Sequence, residues 1–148
     1  MTAFPEANDP NSLWTVRGAH GKQCKRGDRI PCNSEIKLLH VNTKKFLHSH
    51  LHQSPLSRNQ EVSAYPMPGD EGDNWIVHCL SKNTKFWERE SDVRLQHKAT
   101  GAYLASNSEY KYQNPIPGQA EVYGTAKTGS DTTWQAKEGF YFGDNLFV

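Results

Sequence analysis

Ile36 to Tyr65 reads IKLLHVNTKKFLHSHLHQSPLSRNQEVSAY, and the rest of the chain repeats it in part. Its first portion returns fifty-seven positions later as VRLQHKATGAYLASN, Val93 to Asn107. Ile36 matches Val93, Leu38 matches Leu95, His40 matches His97, Thr43 matches Thr100 and Leu47 matches Leu104. The end of the stretch returns as GQAEVYG, Gly118 to Gly124. A tryptophan follows each copy, Trp75 and Trp134, and Trp14 stands a similar distance ahead of Trp75. Recurrence at one period is the mark of a repeat architecture.

Each unit reads as β structure. Ile36, Leu38 and His40 alternate with Lys37 and Leu39, and Val93, Leu95 and His97 alternate with Arg94 and Gln96. A two-residue period suits half-buried strands. Asn42 to Lys45 and Lys98 to Gly101 have the composition of hairpin turns, with Gly101 suited to a positive φ. Phe46-Leu47 and Tyr103-Leu104 begin the return strands, Glu61 to Tyr65 and Ala120 to Tyr123 supply a third strand, and the tryptophan segments a fourth. No amphipathic helix of three turns is present. The expected core is Trp14, Ile36, Leu38, Leu47, Trp75, Val93, Leu95, Leu104 and Trp134. The repeat divides the chain at 1–22, 23–82 and 83–142, with a tail at 143–148.

Composition narrows the function classes. The net charge is +1 with both signs interspersed, so no basic stripe points to nucleic acid or to an anionic membrane surface. No apolar run approaches the roughly 18 residues of a membrane span. MTAFPEANDP has neither a basic nor an apolar leader segment, and GDNLFV is not a retention tetrapeptide. Met1 to Pro5, MTAFP, aligns with VSAYP at 62–66, so the chain opens inside a unit and the first unit is expected to be incomplete. An incomplete barrel exposes strand edges, and the expected consequence for the isolated chain is an unfolded, molten or strand-sharing state. A sharp thermal transition from a monodisperse monomer contradicts that expectation.

Several clusters invite chemistry. Cys24 and Cys32 bracket a polar hairpin in GAHGKQCKRGDRIPC, and their spacing predicts a disulfide in an oxidising compartment. Cys79 is then either a buried small apolar residue or the partner of a cysteine preceding Met1. His48, His50 and His52 lie on one face of a strand, where imidazoles suit zinc or copper. No further ligand or supporting shell is forecast, so a metal is not expected. Asp70, Glu71 and Asp73 lack the full calcium-loop pattern. Tyr110 and Tyr112 alternate in a long loop and either stack on a ligand or cover the barrel's end. Phe140 to Phe142 and Leu146-Phe147 read as a final apolar strand or tail. No nucleophile elbow, phosphate-binding loop, HExxH or dinucleotide fingerprint is present, so no catalytic residues and no cofactor are assigned.

The segments CKRGDRIPCNSEIKLLHVNTKKFLHSH, SPLSRNQEVSAY, DNWIVHC, IPGQAEVYG and TWQAKEGFYF resemble MIR domains, and most closely the stromal cell-derived factor 2 and stromal cell-derived factor 2-like protein 1 family. The resemblance spans Met1 to Phe142. It implies an all-β, β-trefoil fold built from MIR repeats and truncated at its N-terminus. It also implies a non-enzymatic quality-control role in the endoplasmic reticulum lumen, beside a lumenal J-domain co-chaperone and heat-shock chaperone, on misfolded clients. The Leu47 to His50 segment, LHSH, also resembles MIR units of protein O-mannosyltransferases. With the stacking tyrosines Tyr110 and Tyr112, that makes His48, Ser49 and His50 candidates for binding a mannose-type glycan.

Overall fold

The computed structural model describes residues 1–137. They form nine strands: β1 (Thr2–Ala3), β2 (Trp14–Gly18), β3 (Glu35–His40), β4 (Lys45–Gln53), β5 (Gln60–Pro66), β6 (Trp75–Cys79), β7 (Val93–His97), β8 (Tyr103–Lys111) and β9 (Ala120–Thr125). Among the described residues the only helical pieces are three-residue 3-10 turns at Pro10–Ser12, Glu71–Asp73 and Ser130–Thr132. The apolar tail expected at Phe140–Phe142 and Leu146–Phe147 lies outside the described residues.

The strands form a β-trefoil in which the same strand pairings recur from unit to unit. β2 pairs antiparallel with β3 from Trp14↔His40 to Gly18↔Ile36, and β6 pairs with β7 from Trp75↔His97 to Cys79↔Val93. In the second and third units the first strand also meets the unit's own closing tryptophan, at Ile36↔Trp75 and Val93↔Trp134. The hairpins β4–β5 and β8–β9 join where β5 pairs with β9, and β1 pairs with the same edge of β9 next to β5, opposite β8. In place of a full fourth strand, the last described unit has the single bridge at Trp134.

The turns show why one pattern suffices twice. Lys44 donates its amide to the His40 carbonyl at 2.9 Å, and Gly101 donates to that of His97 at 2.8 Å. Both have positive φ, 57° and 81°. Glycine takes that conformation without a Cβ clash, whereas lysine takes it at a cost.

Ile36, Leu38, Leu47, Trp75, Val93, Leu95 and Leu104 pack into one cluster, with Trp14 and Trp134 against its margin. Each of the later tryptophans uses its indole N–H on the same feature of its unit. Trp75 Nε1 donates to the Leu47 carbonyl at 3.0 Å and Trp134 Nε1 to that of Leu104 at 2.9 Å. Each matched histidine is tied in the same way. His40 bonds Thr43 Oγ1 and the Asn11 carbonyl at 2.8 and 2.7 Å, and His97 bonds Thr100 Oγ1 and the Gly72 carbonyl at 2.8 Å each. Trp14 and Trp75 sit against these imidazoles at 4.8 and 4.9 Å.

Two expectations change. β7 alternates buried and half-buried residues, but β3 is buried on both faces from Ile36 to Leu39. Lys37 on the outer face covers the Phe46 ring, its ammonium 4.5 Å from the centroid. The disulfide joins Cys32 to Cys79, with a Cα separation of 5.5 Å, and Cys24 is a free thiol. Cys32 and Cys24 are close in sequence, but the end of the linker is drawn to the end of β6. Asn33 donates to the Val77 carbonyl and Val77 donates to the Ser34 carbonyl, and these bonds hold Cys32 beside Cys79.

Candidate functional site

β4 carries the candidate ligand residues, and its alternation sorts them by face. His48, His50 and His52 point one way and become progressively exposed along the strand. Their rings form a ladder that starts on Tyr65 of β5. Tyr65 stacks on His48 at 4.5 Å, His48 meets His50 edge-on at 5.3 Å, and His50 meets His52 edge-on at 4.5 Å. Ser49 points the other way and is buried. Its hydroxyl donates to the Glu61 carbonyl at 2.7 Å and accepts from Gln60 Nε2 at 2.8 Å. Ser49 therefore ties β4 to β5 and is not presented to a ligand.

Carboxylates occupy the histidines. His50 Nε2 lies 2.7 Å from Glu61 Oε1. His48 Nδ1 lies 2.8 Å from Asp73 Oδ1 and 3.6 Å from Asp70 Oδ1. Among the described residues, His48, Asp70 and Asp73 form a group that could hold a cation, their ligand atoms lying within 4.8 Å of one another. Each carboxylate already has a structural task. Asp70 accepts the Gly72 amide at 2.7 Å and Asp73 accepts the Asp70 amide at 2.7 Å, which closes the turn before Trp75. Glu71 accepts instead from Asn74 Nδ2 at 2.8 Å.

The two loop tyrosines part company. Tyr110 packs edge-on against Tyr123 at 5.8 Å. Tyr112 lines a cavity of about 150 Å³ with Ser54, Glu61, Ser63 and Glu121. Burial pushes the Tyr112 phenol above its ordinary range, and the Glu121 and Glu61 charges add to the effect. Glu61 is the link: it bonds His50 and also lines the Tyr112 cavity. His50, Glu61 and Tyr112 thus form one polar patch, adjoined by His48, while Ser49 and Tyr110 stand outside it.

The residue most heavily engaged here escaped the sequence reading. Glu121 is 1 % exposed. It accepts from Ser54 Oγ at 2.9 Å, the Leu56 amide at 2.6 Å, the Ser57 amide at 3.2 Å and Ser57 Oγ at 2.6 Å. Burial alone would raise its carboxyl pKa, but the Ser57, Leu56 and Ser54 bonds outweigh it and hold the group below its ordinary value. The Ser54-Pro55-Leu56-Ser57 segment is thus a clamp around one carboxylate. Its paired serines were the visible signal, but nothing in the sequence named the acceptor.

Residues 2–134 match the family model described as MIR domain. The chain is 46% identical over 144 residues to a stromal cell-derived factor 2-like protein of Dictyostelium discoideum, a match covering 96% of this chain and 67% of the relative. It is 42% identical over 146 residues to human stromal cell-derived factor 2, covering 95% and 66%. The chain thus spans about two thirds of the length of these relatives. Among solved structures, it is similar to an SDF2-like protein from Arabidopsis thaliana, with a TM-score of 0.91 and 41% identity over 97% of this chain and 80% of that one. It is also similar to part of a Saccharomyces cerevisiae protein O-mannosyltransferase Pmt1-Pmt2 complex bound to the sugar donor. There the TM-score is 0.76 and the identity 29%, over 90% of this chain and 20% of that one.

Proposed function

We propose, from the premise that this chain belongs to the MIR-domain family and within it to the stromal cell-derived factor 2 group, that it is a non-enzymatic protein-binding adaptor. Its place is quality control in the endoplasmic reticulum lumen. There it acts with a J-domain co-chaperone and a heat-shock chaperone on misfolded clients. One observation carries the reading. Of five large apolar side chains exposed among the described residues, Leu51, Leu56, Tyr65 and Met67 fall on the β4–β5 hairpin and the residue after it. Leu51 is 82% exposed near the end of β4, in the stretch where the register of β4 on β5 shifts. Exposed apolar side chains spread along one hairpin suit capture of extended unfolded segments. The test is binding of the full chain to a fluorescent, permanently unfolded protein. Leu51→Ser with Leu56→Ser should weaken binding by about tenfold or more, as for hot-spot residues. Wild-type affinity in the double variant, or no binding by the wild type, refutes it.

A second reading is favoured by the patch of His50, Glu61 and Tyr112: a mannose-type glycan site. A carboxylate held by an imidazole lines one small cavity together with a phenol, and the two offer acceptors and a donor to sugar hydroxyls. Millimolar mannose or mannosylated peptide should then shift the resonances of His48, His50 and Tyr112. If those resonances stay in place while unfolded protein binds, the adaptor reading stands alone.

A further inference from the structure

A second cavity, of about 290 Å³, lies between the outer face of β2–β3 and the linker that follows β2. Arg17, Lys22 and Lys37 line it together with Phe46 and the Cys24 thiol, and no carboxylate does. Arg17 and Lys37 are direct cross-strand partners in the β2–β3 register. Like charges set opposite each other oppose strand pairing. Lys37 is also 91% buried, at 9% exposure, and its one contact of electrostatic kind is with the Phe46 ring. Lysine is rarely buried without a partner. Among the described residues no carboxylate comes within ion-pair distance of Arg17, Lys22 or Lys37.

The next unit treats the corresponding position differently. The corresponding pair in the β6–β7 register is His78 and Arg94. His78 bonds Asn33 Oδ1 and Gln96 Oε1 at 3.1 and 2.8 Å, and Arg94 Nε donates to Thr132 Oγ1 at 3.2 Å. That pair is satisfied from within the protein. The Arg17–Lys37 pair is not, and a cavity stands where its partner would be.

We propose that this cavity binds a compact oxyanion of at least two negative charges, a phosphate or sulfate group. Lys37 and Arg17 bind its oxygens and Lys22 closes the site from the linker. Ammonium and guanidinium groups converging on one space are the donor set such an anion requires. The Phe46 ring beneath Lys37 keeps the ammonium facing the cavity. Cys24, at the edge, reports occupancy by its accessibility.

The experiment titrates the full chain with pyrophosphate, phosphate and sulfate in turn, each against sodium chloride at matched ionic strength, and follows backbone amide resonances. The expected result is saturable shifts centred on Gly18, Lys22, Lys37 and Phe46, and slower reaction of Cys24 with an anionic disulfide reagent. Pyrophosphate binding ahead of sulfate assigns a phosphorylated ligand, and the reverse order a sulfated one. Lys37→Met keeps the aliphatic cover on Phe46 and should lower affinity roughly tenfold, the loss of one charge-assisted contact. Arg17→Gln on the partly exposed β2 strand serves if Lys37→Met does not fold. Shifts no larger than those with chloride, shifts spread equally to Lys45 and Lys98, or unchanged affinity in a folded variant overturns the proposal.

Discussion

Glu121→Gln tests the Ser54–Ser57 clamp. The wild-type carboxylate accepts four hydrogen bonds at 2.6 to 3.2 Å while 1% exposed. Glutamine keeps the shape but offers one acceptor oxygen and turns an amide NH₂ toward amide and hydroxyl donors. Bonds to a charged acceptor contribute about 1.5–3 kcal/mol each, and an unsatisfied buried donor costs about 1–3 kcal/mol. Some bonds survive on the remaining oxygen and the serine hydroxyls can rotate, so the net loss should be about 2–3 kcal/mol. In urea, with a slope of about 1–3 kcal/mol/M, the midpoint should fall by roughly 1–2 M at neutral pH. The pH dependence gives an independent check. The folded carboxyl lies below its ordinary value, so its contribution is present above the unfolded pKa and is lost as pH falls through the folded pKa. The gap between wild type and Glu121→Gln should therefore narrow on acidification below about pH 4.5. A midpoint within 0.3 M of wild type at pH 7, or a gap that stays constant down to pH 3, refutes this account.

Three further outcomes are expected. Peptide mapping without reduction should recover a Cys32–Cys79 link and a modifiable Cys24; removing the bridge by Cys32→Ser with Cys79→Ser should cost about 4 kcal/mol for a separation of 47 residues, while Cys24→Ser should leave stability unchanged. His97 has its pKa lowered, first by burial, despite its bond to the Gly72 carbonyl. Its unfolded form takes a proton more readily, so stability should fall as pH drops below about 6.5 toward the folded pKa, and His97→Gln should flatten that slope in equilibrium unfolding. Gly101→Ala, at φ 81°, should cost about 1 kcal/mol, while Lys44→Gly at φ 57° should be neutral or slightly stabilising, both read from thermal midpoints.

The repeat was legible because its signals are local and occur twice. Alternating apolar residues at Ile36–Leu38 and Val93–Leu95, turn residues four positions on and a closing tryptophan all act within a few residues of themselves. His40 with Thr43 and His97 with Thr100 were visible as matched pairs, though their common task, bonding the turn before the tryptophan, was not. The candidate site was less legible. His48 and His50 were singled out, but their carboxylate partners Asp73 and Glu61 come from other segments. Tyr110 and Tyr112 looked alike two residues apart, yet one packs on Tyr123 and the other lines the cavity.

From the sequence alone come the β class, the period, the core positions and the family, because pleat alternation and turn conformation are short-range properties that each residue carries with it. Tertiary structure alone decides which distant groups meet. Cys32 chooses Cys79 over the nearer Cys24 because backbone bonds from Asn33 and Ser34 to Val77 lay the linker along β6. Glu121 becomes the anchor of a loop some sixty residues earlier because β5 and β9 pair. Arg17 and Lys37 stand side by side along a cavity because of the register of β2 on β3. Register and strand order are set by the whole core, and no single segment encodes them.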